Sequence, residues 1–371
     1  MPSQAQSRTG YRTERLHQPS GPTATSSLLQ AVLPLCIAAW AVLAASPTSI
    51  QAHSVQTPAR AALEWSWSWE PGALVPLLLF AWLYGCGLYR LWSHAGIGHG
   101  ARPWQVAAFV GGWAALSLAL LSPLDQLSTH LFAAHMLQHT ILMLLAAPLL
   151  VLSQPLLPCL WGFPLTWRRR LGRCWRQWSA ARTVWHLLTE PGVAWTLQAV
   201  FLWGWHMPAL YQAALRSTAV HALQHLSFVV GALLFWWALC SGKHGHTGYG
   251  IGVLALFTTG LHSSLLGALL TLAPRPWYAA YTTTTLTWGL GPLQDQQLAG
   301  LIMWIPSGLF YTIAGLTFLG VWLQETRTTR NGTPRRAERQ ETMAALTLAP
   351  GEPAGVTRTL RPGGQSGRHH S

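Results

Sequence analysis

The sequence predicts an all-α polytopic membrane protein, a bundle of seven transmembrane helices that follows an N-terminal signal sequence or an eighth helix. Half of the 371 residues are hydrophobic and only 9% are charged. Seven windows of about 20 residues are long and apolar enough to cross a hydrocarbon core of about 30 Å. Helices in a bilayer satisfy their own backbone groups, whereas one soluble core could not bury seven such segments. We place the windows at residues 71–92, 103–122, 130–152, 191–210, 218–241, 250–272 and 298–323.

The two ends of the chain differ in composition from this membrane domain, which we place at residues 53–323. Residues 1–52 have a basic start, an apolar run at residues 28–45 and then small and polar residues. This is the three-part form of a secretory signal, and cleavage after Ala52 is favoured over an uncleaved eighth helix. Residues 324–371 are rich in Arg, Gly, Pro and Thr, which predicts a disordered cytoplasmic tail.

Basic residues predict the orientation of the chain. If the mature N-terminus is outside, the cytoplasmic loops and the tail as far as Arg339 carry fourteen basic residues, whereas three, Arg60, Arg216 and Arg275, face outward. The positive-inside rule then places the C-terminus of the chain in the cytoplasm. This distribution also accounts for the net charge of +13 through contacts with membrane lipid, so no nucleic-acid partner is expected.

A repeated histidine motif suggests the chemistry of the site. His135-Met-Leu-Gln-His139, in the outer half of the third window, recurs as His221-Ala-Leu-Gln-His225 in the outer half of the fifth. Histidines four residues apart lie on one helix face, so each copy can present two imidazoles to a common point. A single histidine in a membrane span is often an interhelical hydrogen-bond partner. Two copies at matching depth favour metal or haem ligation instead.

Other residues extend this candidate site. His206 lies near the outer end of the fourth window and His262 near the middle of the sixth. Met136 and Met207 adjoin candidate ligands, and a thioether favours Cu(I). Asp125 and Asp295 are the acids of the outer loops between the windows. Each either accepts a hydrogen bond from a ligating imidazole and orients it, or caps a helix. The predicted metal ligands are His135, His139, His206, His221, His225 and His262.

Two loops between the windows are rich in aromatic residues. Residues 154–190 mix tryptophans with arginines, which suits a segment lying along the cytoplasmic interface. The outer loop, residues 274–297, contains Trp277, Tyr278, Tyr281 and Trp288. A lipid-facing aromatic belt is favoured for both loops, and the alternative for the outer loop is a cover over the mouth of the bundle or a contact with a partner.

Four segments together resemble the CtaG-type cytochrome c oxidase assembly factors, a multi-span family of bacterial plasma membranes associated with caa-type oxidases. The resemblance covers roughly Trp65 to Leu323. The segments are His135-Met-Leu-Gln-His139 running into Met143-Leu-Leu-Ala-Ala-Pro, Trp205-His-Met-Pro-Ala-Leu-Tyr, His221-Ala-Leu-Gln-His225, and Asp295-Gln-Gln-Leu-Ala-Gly-Leu-Ile-Met-Trp304-Ile-Pro.

The resemblance implies a non-enzymatic role in maturing a haem-copper oxidase, with oxidase subunits as partners and copper as the metal handled on the outer face. It also implies the histidines of these segments as ligands, and no catalytic residue. Two alternatives stay open: a haem-binding electron-transfer protein, and a seven-span zinc hydrolase with three histidines, a metal-bound water and an acid. No G-x-S-x-G, H-E-x-x-H, P-loop or dinucleotide fingerprint occurs in the sequence.

Overall fold

A computed structural model of the chain describes residues 67–241 and 246–348, which form helices and connecting turns with no β-strand in these ranges. The predicted all-α class is therefore confirmed. The predicted signal sequence lies outside the described residues. The helices, in chain order, are α1 Pro71–Ala95, α2 Pro103–Leu121, α3 Pro123–Ser128, α4 Phe132–Thr140, α5 Ala147–Leu152, α6 Leu156–Gly162, α7 Leu165–Gln177, α8 Ser179–Leu188, α9 Pro191–His206, α10 Pro208–Arg216, α11 Thr218–Ser241, α12 His246–Leu272 and α13 Pro292–Leu348.

Six helical segments of the described chain are long and apolar enough to cross a membrane. They match six of the seven predicted windows, and α4 and α5 form one continuous segment with the π-helical turns between them. The six segments are Pro71–Ala95, Pro103–Leu121, Phe132–Leu152, Thr218–Ser241, Gly248–Leu272 and Pro292–Gln324.

The fourth predicted window, residues 191–210, is interrupted, so the count of seven spans is not confirmed. Helix α9 has 16 residues, a length of about 24 Å at 1.5 Å per residue, which is less than the hydrocarbon thickness. Met207 leaves the helical conformation with φ −64° and ψ 131°, because Pro208 disfavours the α region for the residue before it. Helix α9 still packs beside α11, where the Trp205 indole donates a hydrogen bond of 2.6 Å to the Ser227 hydroxyl.

The third membrane segment contains a π-helix at Ile141–Ala146. The Ala147 amide bonds to the Leu142 carbonyl, five residues earlier, instead of four. This wider turn begins two residues after His139. Single-turn π-segments inside α-helices occur frequently at functional sites, and this one changes which side chains follow His139 along the same face.

Large apolar side chains are exposed along one face of α12. They recur at the three- and four-residue spacing of a helix and are Leu254, Phe257, Leu261, Leu265, Leu269 and Leu272. An exposed apolar stripe of this length on a membrane protein is the surface that acyl chains cover. The contact with membrane lipid predicted from composition has its physical basis on such faces.

Helices α12 and α13 approach most closely where Gly267 faces Gly300. A Cβ added at Gly300 would lie 2.6 Å from the Gly267 carbonyl oxygen, and one added at Gly267 would lie 2.8 Å from the Gly300 carbonyl oxygen. Small residues at such crossings let membrane helices pack backbone to backbone. The pair therefore fixes the distance between α12 and α13 at this crossing.

We expect Gly300→Ala to destabilise the protein by about 1–3 kcal/mol, because the new methyl group pushes against backbone rather than a flexible side chain. Gly85→Ala is the matched control, since a Cβ at Gly85 meets nothing within 4 Å and removing a helix glycine stabilises by about 0.5–1 kcal/mol. Thermal unfolding of both variants in detergent measures the contrast. Equal melting temperatures for the two would show that the glycine pair does not set the helix packing.

The C-terminal unit, from Gly320 onward, is helical in its backbone to Leu348. A disordered tail was predicted from residue 324, whereas α13 continues beyond that point through helix formers such as Arg, Glu, Gln and Ala. Residues 349–371, the rest of the predicted tail, lie outside the described residues.

Candidate metal-binding site

Three histidines meet inside the bundle, His135 and His139 from α4 and His225 from α11. One ring nitrogen from each lies within 4.8 Å of the other two. All three side chains are buried. The ring centroids of His135 and His139 are 4.4 Å apart, and those of His139 and His225 are 5.2 Å apart. Because the motif spacing of four residues puts each pair on one face, two facing helices suffice to bring the rings together.

Five of the six ring nitrogens of this triad make no hydrogen bond of acceptable geometry among the described residues. Both nitrogens of His135, both of His139 and Nε2 of His225 are buried without a bond of acceptable geometry. Leaving a buried polar group unsatisfied costs about 1–3 kcal/mol. Several such atoms at one point are unusual in a folded interior, and neutral imidazoles sharing one position form a donor set that suits a metal ion. The residues present therefore fit a metal.

His221 and His206 extend the triad on two sides. The His221 ring lies 5.4 Å from that of His135 and 4.3 Å from that of His225. His206 donates from Nδ1 to the Leu202 carbonyl at 2.6 Å. This bond leaves Nε2 as the lone-pair nitrogen, 3.4 Å from the Met136 sulfur. Histidines that bind a metal through one ring nitrogen usually donate from the other to a carbonyl in this way, which fixes their tautomer and orientation.

Two predicted members of the site lie elsewhere. His262 faces Trp195, with ring centroids 5.9 Å apart, and is not among the three histidines whose nitrogens converge. Met207 is 58% exposed, because it occupies the break between α9 and α10. The other predicted methionine, Met136, is fully buried against His206.

Asp295 caps a helix other than its own. Its carboxylate accepts hydrogen bonds from the Phe132 amide at 2.7 Å and the Ala133 amide at 3.0 Å. These amides begin α4, two and three residues before His135, so a residue of α13 anchors the histidine-bearing helix. The sequence predicted an acceptor for an imidazole or a cap on the last span, and the structure shows a cap supplied across the bundle. Negative charge at a helix N-terminus is stabilising.

Asp125 acts through a glutamine. Its Oδ1 accepts from the Gln138 side-chain amide at 2.9 Å, and the same amide donates to the Ala119 carbonyl at 2.7 Å. Gln138 therefore ties α4 to α2 and α3 at the residue before His139. The cap of α3 is Ser122, whose hydroxyl accepts from the Leu124 amide, rather than Asp125.

A layer of tyrosines covers the triad on the side of the outer loop. The Tyr211 ring lies 5.2 Å from that of His135, and its hydroxyl is 2.9 Å from that of Tyr281. Tyr281 donates to the Ser128 carbonyl at 3.0 Å, and Tyr278 donates to the His206 carbonyl at 2.8 Å. Burial raises the pKa of Tyr278 and Tyr281, so both are neutral hydrogen-bond donors.

This tyrosine layer corrects the interpretation of the outer loop. Tyr278 and Tyr281 are buried and cover the bundle, whereas the sequence favoured a lipid-facing belt. The signal available in the sequence was the Tyr278 and Tyr281 spacing of three residues, which puts both rings on one side of a short helical turn. His130, just before α4, lies under the same loop, since its carbonyl accepts from the Thr284 hydroxyl at 2.9 Å.

Comparison with known proteins identifies the family. The sequence profile of the cytochrome c oxidase caa3 assembly factors, Caa3_CtaG, matches residues 82–325. The chain belongs to this family. The match confirms the resemblance seen in the sequence motifs, and the histidine triad, the Asp295 cap and the tyrosine layer of this Caa3_CtaG protein all lie within the matched residues.

Two uncharacterized mycobacterial proteins resemble this Caa3_CtaG chain. One is from Mycobacterium bovis and one from Mycobacterium tuberculosis, and each is 25% identical over 239 residues. The alignment covers 63% of this chain and 36% of each relative. The chain thus spans about a third of the length of these curated relatives. No solved structure matches it.

Proposed function

We propose that this Caa3_CtaG protein binds copper at His135, His139 and His225 and delivers it to a subunit of cytochrome c oxidase during assembly. The observation that carries the proposal is the convergence of three buried imidazoles, five of whose six ring nitrogens make no hydrogen bond of acceptable geometry among the described residues. The family supplies the connection to oxidase assembly. Copper is the cargo in this proposal, not a resident cofactor.

The donor set favours copper over a catalytic zinc centre. A zinc hydrolase needs a carboxylate near the metal-bound water to act as base or orienter. The two acids that the sequence suggested for the site are bonded elsewhere, Asp125 to Gln138 and Asp295 to the amides of α4. Met136 supplies a buried thioether against His206, and sulfur ligands of this kind suit copper better than zinc.

The packing of the rings argues against haem. A haem with two axial imidazoles requires the porphyrin plane to pass between them. His135, His139, His221 and His225 contact one another directly, with ring centroids 4.3–5.4 Å apart in each adjacent pair. The cavity that adjoins His139 has a volume of about 30 Å³, far too small for a macrocycle. An ion fits where a porphyrin does not.

Delivery fits the position of the triad near one end of the bundle. The tyrosine layer covers the triad at the end that the positive-inside rule assigns to the outer side. In our proposal, copper leaves toward this side, where an oxidase subunit docks. Tyr211, Tyr278 and Tyr281 hold the cover through side-chain hydroxyls, which a partner can displace without unfolding a helix.

Deleting the gene and complementing it tests the proposal. We expect the deletion strain to lose caa3-type oxidase activity and to leave the residual oxidase depleted of copper. Wild-type protein and His262→Ala should restore both, because His262 lies apart from the triad, whereas His139→Ala should restore neither. A fully active, copper-replete oxidase in cells carrying His139→Ala would separate oxidase assembly from this site and refute the proposal.

A further inference from the structure

A cavity of about 30 Å³ adjoins the triad on the side away from the tyrosine layer. His139 lies on its wall, so this histidine belongs to both the triad and the cavity. His206, Met143, Met303 and Tyr311 also line it. A space this size accommodates a water molecule or an ion, which needs roughly 10–15 Å³.

Soft donors concentrate around this cavity. Met143 comes from the π-helix and Met303 from α13, and both are buried. Met136 lies behind His206, with its sulfur 3.4 Å from Nε2. Three of the six methionines of the chain therefore surround two imidazoles at one place. Methionine commonly fills gaps in apolar cores, but here two thioethers line a space that remains open.

The softness of the donors selects the ion. Imidazole and thioether are neutral ligands, and among the described residues that line the cavity Ser263 and Ser307 add hydroxyls while none supplies a carboxylate. Thioethers select Cu(I) among the first-row metals, so the two methionines on the wall favour this ion.

We propose that this cavity is a second copper station, which takes Cu(I) on Met143, Met303 and His206, with His139 shared between it and the triad. This inference rests on the proposed function and deepens it. The protein then holds two adjacent sites of different softness, an imidazole site under the tyrosine layer and a thioether-rich site deeper in the bundle. Met143 follows His139 by four residues, so both side chains reach the wall of this cavity from the same face of the third membrane segment.

Titration of the full chain in detergent with Cu(I), in competition with a chromogenic Cu(I) chelator, tests the second station. We expect the Met143→Leu, Met303→Leu double variant to lose about one Cu(I) equivalent or to bind it at least about tenfold more weakly. Leucine conserves the volume of methionine and is tolerated in cores, and thermal unfolding checks that the variant is folded. Met207→Leu, at an exposed methionine, is the matched control and should bind Cu(I) like wild type.

X-ray absorption and a second ion separate this inference from the proposed function. Copper–sulfur scattering should be present in the Cu(I) form of wild type and absent in the double variant, while Cu(II) binding at the triad is unchanged. Full Cu(I) binding without sulfur scattering in wild type would overturn the second station and leave the triad standing. Loss of Cu(II) binding in the double variant as well would overturn the separation into two sites.

Discussion

Replacing His139 with alanine should reduce the Cu(II) content of the loaded, purified protein from about one ion per chain to less than about a tenth of an ion per chain. The substitution removes one of the three imidazoles that we propose as ligands. Cu(II) reports the triad, since imidazoles bind it and thioethers prefer Cu(I). Inductively coupled plasma mass spectrometry of the detergent-purified chain after copper loading and desalting gives the ratio. His225→Ala, which removes the ligand from the facing helix, should lower it similarly.

His262→Ala provides the control for this experiment. Like the two test substitutions, it removes one imidazole from a membrane helix. The ring of His262, however, faces Trp195 instead of the triad. We expect it to retain the wild-type copper ratio. Unchanged copper in both His139→Ala and His225→Ala would remove the triad as the binding site, and a loss in His262→Ala alone would place the ion in another part of the bundle.

Removing the Asp295 carboxylate should produce the largest loss of stability. Asp295→Ala leaves the Phe132 and Ala133 amides buried without acceptors, at about 1–3 kcal/mol for each amide. The expected destabilisation is therefore about 2–6 kcal/mol, measured by thermal unfolding in detergent. Copper affinity should fall by about tenfold as well, because orienting residues around a metal site typically contribute 10–100-fold.

Two comparison variants sharpen this result. Asp295→Asn keeps one acceptor oxygen for the two amides, so its stability should lie between those of Asp295→Ala and wild type. Asp125→Ala releases the Gln138 amide, which retains its bond to the Ala119 carbonyl, and should cost less than Asp295→Ala. A wild-type melting temperature for Asp295→Ala would mean that the cap does not stabilise α4.

Hydropathy predicted most of the membrane helices because length and apolarity are properties of a continuous segment. The windows at 71–92, 103–122 and 218–241 differ from the observed helices by three residues at most. The window at 191–210 was wrong in its end, since hydropathy averages across Pro208 while the backbone breaks before it. Hydropathy also carries no information on the π-helix, which depends on how the third span packs.

The candidate site was predicted to the extent that it depends on one helix at a time. The spacing within the two H-x-L-Q-H motifs fixed which imidazoles share a face, and the structure brings three of those four together. For the other predicted ligands, the direction of the side chain depends on how each helix is rotated about its own axis in the bundle. His262 lies on a helix without a distinct polar face. The sequence therefore indicates the depth of His262 in the membrane but not which neighbour its ring faces. The Asp295 cap joins residues more than 160 positions apart, for which a single sequence offers no local signal.

The Asp295 cap also sets an order of events during biogenesis. The helix that carries the first histidine pair is synthesised before α13, but its N-terminal amides receive their acceptors from that later helix. Until the ribosome has passed residue 295 and α13 has inserted, α4 lacks its anchor. The two helices therefore depend on each other across a long stretch of translation, and the arrangement around His135 becomes fixed only after α13 has joined the bundle.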